Sequence, residues 1–395
     1  MKILQVHNLY QRAGGEDVVV AAERELLKAH GHQVFCYSVS NHAIKGVGEK
    51  LSIAWNSSYS QSSRKRFAAE LGAVKPDLVH VHNFFPLLTP SIYDACRDAG
   101  VQVVQTLHNY RLICPGAFLE RDGEVCEKCL DGSFYRAAWY GCYRGSRIAS
   151  LVVARMVSMH HRLGTWHSKI NRFIALTEFA KSRFVKAGFP EERIAVKPNF
   201  ERESALLESF PSRSGALFVG RLSQEKGIRT LLTAWRHLDT PIRIIGDGPM
   251  VDEVRDSGLS NVTYEGHRTR QEVITEMQRA SFLVLPSECY EGFPMVLVEA
   301  FAYGLPVIAA RIGSLAEIVR DGETGITFEA GNPEDLAAKI RWAVAHPDAM
   351  GKFGETALLQ SREKYSPEVN YRRLMEIYHE AIAEIPGKCH GAWPT

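Results

Sequence analysis

Short apolar runs alternate with amphipathic helical stretches along this chain, in two successive series. The first predicts strands at residues 3–6, 33–39, 78–81, 101–106 and 173–176, with helices between them, notably over 17–30 and 91–99. The second predicts strands at 216–219, 242–245, 262–264, 282–285 and 307–310, with helices over 227–238, 269–279, 294–303 and 333–345. Such alternation predicts parallel sheets with helices on both faces, because parallel neighbours need a crossover. Between the series the pattern lapses through Pro198-Asn199-Phe200 and Phe210-Pro211-Ser212-Arg213-Ser214-Gly215, and 395 residues is long for one core. The fold class is therefore α/β with two doubly wound domains, residues 1–205 and 206–366. In the segment 367–395, a last helix over 367–385 could pack back on the first domain, and the tail from Pro386 looks loosely held.

A composition of 45% hydrophobic and 23% charged residues is that of a soluble globular protein. No apolar run approaches the ~20 residues of a membrane span. The opening Met1 to Asn8 turns polar too soon for a signal peptide, so a cytoplasmic location is expected. Residues 1–200 carry 26 basic against 17 acidic side chains, and the remainder 21 against 28. The basic half would suit an anionic substrate or the inner face of an anionic membrane; chance segregation of solvated charges is the alternative.

The chemistry concentrates in Ser287-Glu288-Cys289-Tyr290-Glu291-Gly292-Phe293-Pro294-Met295-Val296-Leu297-Val298-Glu299-Ala300. It follows a buried strand, turns at Gly292 and opens a helix at Pro294, where a missing N–H costs nothing. A helix N-terminus suits a phosphate, whereas Glu291 and Glu299 suit hydroxyls. Phosphate plus many hydroxyls describes a nucleotide sugar. An ordinary corner with two solvated glutamates is the plainer reading. Glu291 and Glu299, seven residues between them, resemble the signature of the retaining glycosyltransferases of family four. That resemblance implies the GT-B architecture, two facing Rossmann-like domains with a cleft between them.

The resemblance covers nearly the whole chain and implies roles for further residues. Arg221 and Lys226, in a Gly-Arg-x-x-x-x-Lys-Gly turn, would grip the donor diphosphate, helped by amides around Met295 and Val296. Gly246, in Gly246-Asp247-Gly248-Pro249, would let backbone approach a ligand, although a simple tight turn would look the same. His267 would stand by the base, Glu291 with Gly292 and Phe293 by the transferred sugar, and Glu299 by the ribose. Gly15 belongs to a glycine turn near donor and acceptor. His108 would approach the reaction centre with Glu291, and His82 and Asn109 would meet the acceptor. No Asp-x-Asp element stands where a metal-dependent transferase would need one, so no catalytic metal is expected.

Cys114, Cys126, Cys129 and Cys142 crowd into an insertion over 109–145, with gaps of 11, 2 and 12 residues. A C-x-x-C knuckle with two flanking thiols is a ligand set for structural zinc, and an insertion so poor in apolar residues would need the staple; four unligated thiols are the alternative. Some family members are similar in this insertion. From 143 to 172, Arg144, Arg147, Arg155, Arg162, Lys169 and Arg172 interleave with apolar residues, as on a membrane-lying helix or a core helix with a solvated basic face.

The expected activity is transfer of a sugar from a UDP- or GDP-linked donor to a hydroxyl of a glycan or lipid-linked acceptor, in surface polysaccharide or glycolipid synthesis. A sugar-nucleotide 2-epimerase shares the architecture and would act without an acceptor. A zinc-stapled nucleic-acid binder would use the basic half but leave the donor-like half unexplained, so nucleic acid is not expected as a partner.

Overall fold

The computed structural model describes residues 1–9, 14–40, 56–202 and 213–383. The domain boundary at 205/206, most of the link between the series, and the tail from Pro386 with Cys389 lie outside these. The chain divides into two compact units, residues 1–118, 127–197 and from 370 on, and residues 119–126 with 198–369.

The first unit is built on six parallel strands in the order β2-β1-β3-β4-β5-β6. These are β1 (Lys2–Leu9), β2 (Gln33–Ser40), β3 (Leu78–Asn83), β4 (Gln102–Leu107), β5 (Arg172–Ala175) and β6 (Ile194–Val196). Helix α1 (Gly15–Ala29) crosses from β1 to β2 and α2 (Arg147–Arg162) precedes β5. The second unit has six parallel strands in the order β9-β8-β7-β10-β11-β12. They are β7 (Ala216–Val219), β8 (Ile242–Ile245), β9 (Val262–Gly266), β10 (Phe282–Leu285), β11 (Val307–Ala310) and β12 (Gly325–Phe328). Helix α3 (Met295–Ala302) leaves the β10 end.

Why these residues form these elements is clearest in the second unit. Every residue of β10 and β11 is buried, so both read as unbroken apolar runs, as strands covered on two faces must. Helix starts carry their caps. Thr269 accepts from Glu272 N at 3.4 Å while the Glu272 carboxylate takes Thr269 N at 2.8 Å, closing a capping box. Asn332 caps the helix Pro333–Ala345, accepting from Asp335 N at 3.0 Å.

A last helix, α4 (Pro367–Ala383), lies on the first sheet. Its Leu374, Ile377, Tyr378 and Ala381 recur every three or four residues, the helical period, and pack with Ile3, Leu27, Leu78, Val104 and Ile174. Upstream, Asn199 and Phe200 are buried and Glu201 N donates to Tyr365 O at 3.0 Å, so the chain enters the second unit well tied down.

Candidate active site

In the second unit the chain winds outward both ways from β7, so the carboxyl ends of β7 and β10 flank the strand-order switch, where open α/β sheets bind ligands. After β7 come Gly220, the exposed Arg221 and the single turn Gln224–Lys226. After β10 come Ser287 to Pro294 and then α3. The loops are laced together: Glu288 N donates to Glu225 O at 3.0 Å, and Lys226 Nζ donates to Glu291 Oε2 at 2.7 Å. Ser287 Oγ donates to the other Glu291 oxygen, and Ser314 Oγ donates to the Glu291 carbonyl at 2.9 Å. Only 9% of the Glu291 side chain is exposed. Burial opposes its charge, but the Lys226 ammonium and the Ser287 hydroxyl outweigh burial and hold the carboxyl below its ordinary value. Burial likewise opposes the charge on Lys226, and Glu291 more than restores it.

Gly227 (φ +69°) is tight against this site, since a Cβ there would lie 1.9 Å from Pro286 O. At Gly246 a Cβ would lie 1.8 Å from Gly220 O. The backbone these glycines admit is that of the neighbouring loop. They set the shape of the switch point from beneath.

Pro294 occupies the N-cap of α3 rather than its first turn, its carbonyl accepting from Leu297 N at 3.1 Å. Gly292, Phe293, Met295 and Val296 are half-buried, with Phe293 edge-on to Tyr365 at 6.0 Å between centroids. Glu299, two turns into α3, lies 3.5 Å from Arg270, which also pairs with buried Glu201. Burial, then the Glu201 charge, push the Glu299 carboxyl up to about 7, with Arg270 opposing. His267 is exposed just after β9, beside an Arg268–Glu265 ion pair of 2.5 Å.

In the first unit the strand-order switch falls between β1 and β3. Asn83 Nδ2 donates to Asn8 O at 3.1 Å, and Asn8 Oδ1 accepts from Leu87 N at 3.2 Å. Gly15 is the exposed first residue of α1. The glycine turn is clamped by Asp17, which accepts from Gly14 N at 2.8 Å and faces His7 Nε2 at 2.7 Å. His108, directly after β4, brings Nε2 to 3.1 Å from His82 Nδ1. Both border a cavity of about 30 Å³, with Asn83, Phe85, Asn109 and Arg111. Asn109 Oδ1 accepts from Arg111 N at 3.0 Å, which closes its own turn. The Arg111 guanidinium lies 4.9 Å from the ring centroids of both Phe85 and Tyr143.

Behind His82 is a buried polar cluster that sequence reasoning missed: Glu23 from α1, His80 from β3 and Lys197 after β6, with Tyr378 and Asn370 from α4. Glu23 lies 3.0 Å from His80 Nδ1, 3.3 Å from His82 Nε2 and 3.2 Å from Lys197 Nζ. Burial works against the Glu23 charge, yet Lys197 and His80 hold the carboxyl well below its ordinary value. Among the described residues, Glu23, His80 and His82 form the group of three potential metal ligands within 4.8 Å of one another. Lys197 already supplies that carboxylate with a cation.

The cysteine-bearing insertion has a better apolar footing than its composition suggests, with Tyr110, Leu112, Ile113, Ala117, Leu130 and Ala137 buried. Cys114 is buried too, and a Cβ at Gly116 would lie 3.6 Å from Cys114 Sγ and 3.5 Å from Cys142 Cβ, so both cysteines border that glycine. Cys126 and Cys129 are half-buried, and no three of the four sulfurs come within 4.8 Å of one another. The basic stretch divides. Val153, Met156 and Val157 of α2 are core, Arg155 donates to Ser58 at 3.2 Å, Lys169 pairs with Asp94 at 2.7 Å and Arg172 with Glu380 at 3.2 Å. Its start is different: Ile148 is 79% and Trp139 74% exposed, beside exposed Arg144 and Arg147. Among the described residues no helix is long and apolar enough to cross a membrane.

Comparison with known proteins agrees with this arrangement. Residues 13–200 match the family model described as glycosyltransferase family 4, and residues 201–360 match glycosyl transferases group 1. An uncharacterized glycosyltransferase of Methanocaldococcus jannaschii is 36% identical over 168 residues, 42% of this chain and 47% of the relative. The match thus spans about half the length of that relative. Among solved structures, sucrose-phosphate synthase of Thermosynechococcus elongatus superposes with a TM-score of 0.72 at 16% identity, covering 97% of this chain and 99% of that one. Anabaena HepE in complex with UDP superposes at 0.66 and 17% identity, covering 95% and 99%. The fold is GT-B, two Rossmann-like α/β units. Within it, the first half of the chain is similar to the family 4 model and the second half to the group 1 model.

Proposed function

We propose that this protein is a retaining glycosyltransferase that moves a sugar from a UDP- or GDP-sugar to a hydroxyl of a glycan or lipid-linked acceptor, without a catalytic metal. The observation that carries this reading is the Lys226–Glu291 pair at the strand-order switch, 2.7 Å long and beside the start of α3. Lys226, Arg221 and the free amides of Met295 and Val296 would offset the diphosphate charge as the leaving group departs. Lys226 would then be shared with phosphate, freeing Glu291 to accept from sugar hydroxyls lodged over Gly292 and Phe293. Glu299 would take the ribose and His267 the base. Gly246 and Gly15 would shape the turns around them. His108 would meet the donor sugar near the reaction centre, with His82 and Asn109 toward the acceptor; Asn109 would act by shaping its turn. The UDP complex of Anabaena HepE supports UDP as the first donor nucleotide to try.

Thermal shift tests the reading directly. UDP, GDP or one of their sugars at saturating concentration should raise Tm, and Lys226→Met should abolish the rise. Turnover with the identified donor should survive EDTA, and the product should keep the donor's anomeric configuration. A Tm unmoved by every nucleotide sugar would refute the proposal.

Two accessory features belong to the same reading. The placing of Cys114 and Cys142 on either side of Gly116, with Cys126-x-x-Cys129 close in sequence, supports a structural zinc held by four thiolates. Elemental analysis of anaerobically purified protein should find one zinc per chain. Exposed Trp139 and Ile148 beside Arg144 and Arg147 support contact with an anionic membrane surface. Anionic phosphatidylglycerol vesicles should then pellet the protein where phosphatidylcholine vesicles do not.

A further inference from the structure

Lys197, Glu23, His82 and His108 form one line of polar contacts through the interior of the first unit. Lys197 Nζ is 3.2 Å from Glu23 Oε2, Glu23 Oε1 is 3.3 Å from His82 Nε2, and His82 Nδ1 is 3.1 Å from His108 Nε2. Four elements meet here, and each contact restricts the next. Glu23 stays ionised because Lys197 neutralises it, and an ionised carboxylate only accepts. The His82 Nε2 contact is too oblique for a full hydrogen bond, but its sign is decisive. An N–H facing Oε1 at that distance is attracted, and a lone pair is repelled, all the more in a dry interior. Burial, then neighbouring His80, push the His82 imidazole down to about 3, so it carries one proton, and Glu23 draws that proton to Nε2. His82 Nδ1 is left as a lone pair, and the group facing it, His108 Nε2, must be the donor.

We propose that Glu23, acting through His82, holds His108 in its Nε2–H form and leaves His108 Nδ1 as a hydrogen-bond acceptor. Glu23 and His82 are thus positioning residues, and His108 would present a lone pair suited to a substrate hydroxyl. This rests on the reading of His108 given above. The other groups around His82 are consistent with it. The His80 ring lies 4.0 Å from the His82 ring and is fixed by Thr106 Oγ1 at 2.8 Å and Tyr378 Oη at 2.7 Å. His7, edge-on at 6.4 Å, faces Asp17 through its Nε2. Among the described residues, His108 Nε2 is the hydrogen-bond partner of His82 Nδ1.

The test is nitrogen NMR of protein labelled with ¹⁵N-histidine, with the His108 signals assigned by their loss in His108→Ala. The expected result is the Nε2–H form for His108 in the wild type, and the Nδ1–H form would overturn the inference whatever any variant does. Glu23→Gln with Lys197→Met removes both charges together, leaving no lone buried ion. In that folded variant His108 should become a mixture of forms; an unchanged spectrum would also overturn the inference. Should the double variant not fold, His82→Asn, which keeps an acceptor for His108, should preserve the Nε2–H form, and its loss would count against the relay. In turnover, the double variant should lose roughly 10–100-fold in kcat, the scale of a histidine's orienting partner, with little change in donor KM. In a His108→Ala background the same change should cost nothing more, and additive losses would overturn the relay. If His108→Ala itself keeps full kcat, the catalytic reading of His108 fails while the measured tautomer still decides this inference.

Discussion

Glu291 and Glu299 stand on one turn-and-helix segment with opposite charge preferences. Glu291 is held ionised by Lys226, whereas Glu299, buried beside Glu201, titrates near 7. Below 7 Glu299 is largely neutral, and a ribose hydroxyl would find a weaker acceptor there than above 7. Donor KM should therefore fall as pH rises from 6 to 8, and Glu299→Gln should give a high KM that is flat over that range. The stability sign is opposite. Between the ordinary carboxyl value and about 7 the folded chain keeps a proton that the unfolded chain has released, so Glu299's contribution to stability declines as pH rises through that window. At this scale the sequence located Glu291, Lys226 and the His82–His108 neighbourhood, because each stands where a strand ends. It did not reveal Glu23 or Lys197, since partners brought together from positions 23 and 197 have no local spacing to read. A signal was present all the same: Glu23 falls between Val19 and Leu27 on the buried stripe of α1, where a lone charge requires a partner.

Among the elements, the turns of the second unit combine two constraints. Gly227 has φ +69° and also lies against Pro286 O, whereas Gly258 has φ +68° with open space around it. Gly258→Ala should cost about 1–2 kcal/mol, the usual expense of a left-handed alanine. Gly227→Ala should cost several-fold more and also abolish the nucleotide-induced Tm rise, because its loop carries Lys226. Comparing the two Tm values separates backbone strain from the collision. The sequence placed the central strands β7, β8, β10 and β11 residue for residue, since burial leaves apolar runs there, broken only by Arg243 in β8. The edge strands β6 and β12 were not foreseen; one has three residues and the other opens on a glycine that reads as a turn. The helix Pro347–Lys364 was also missed, its four charges in the last ten residues and two glycines masking a buried stripe of Met350, Ala357 and Leu358.

For the whole molecule, the decisive element is α4. Leu374, Ile377 and Tyr378 are fully buried on the first sheet, and each contributes about 1.5–3 kcal/mol by leaving water. Together these rival the roughly 5–15 kcal/mol that keeps a domain folded. A chain ending at residue 366 should lose the first unit's cooperative melting transition while the second unit keeps its own, as calorimetry would show. Asn370 also leaves with that cut, and with it the 3.1 Å contact to Lys197 that steadies the far end of the buried line. During synthesis, β1 leaves the ribosome before the other strands of its sheet, yet one face of that sheet stays uncovered until the residues of α4 have emerged. A nascent chain arrested once residue 366 has cleared the ribosome, but before α4 has, should therefore show a protease-resistant second unit behind a susceptible first one, the reverse of the order in which they were made.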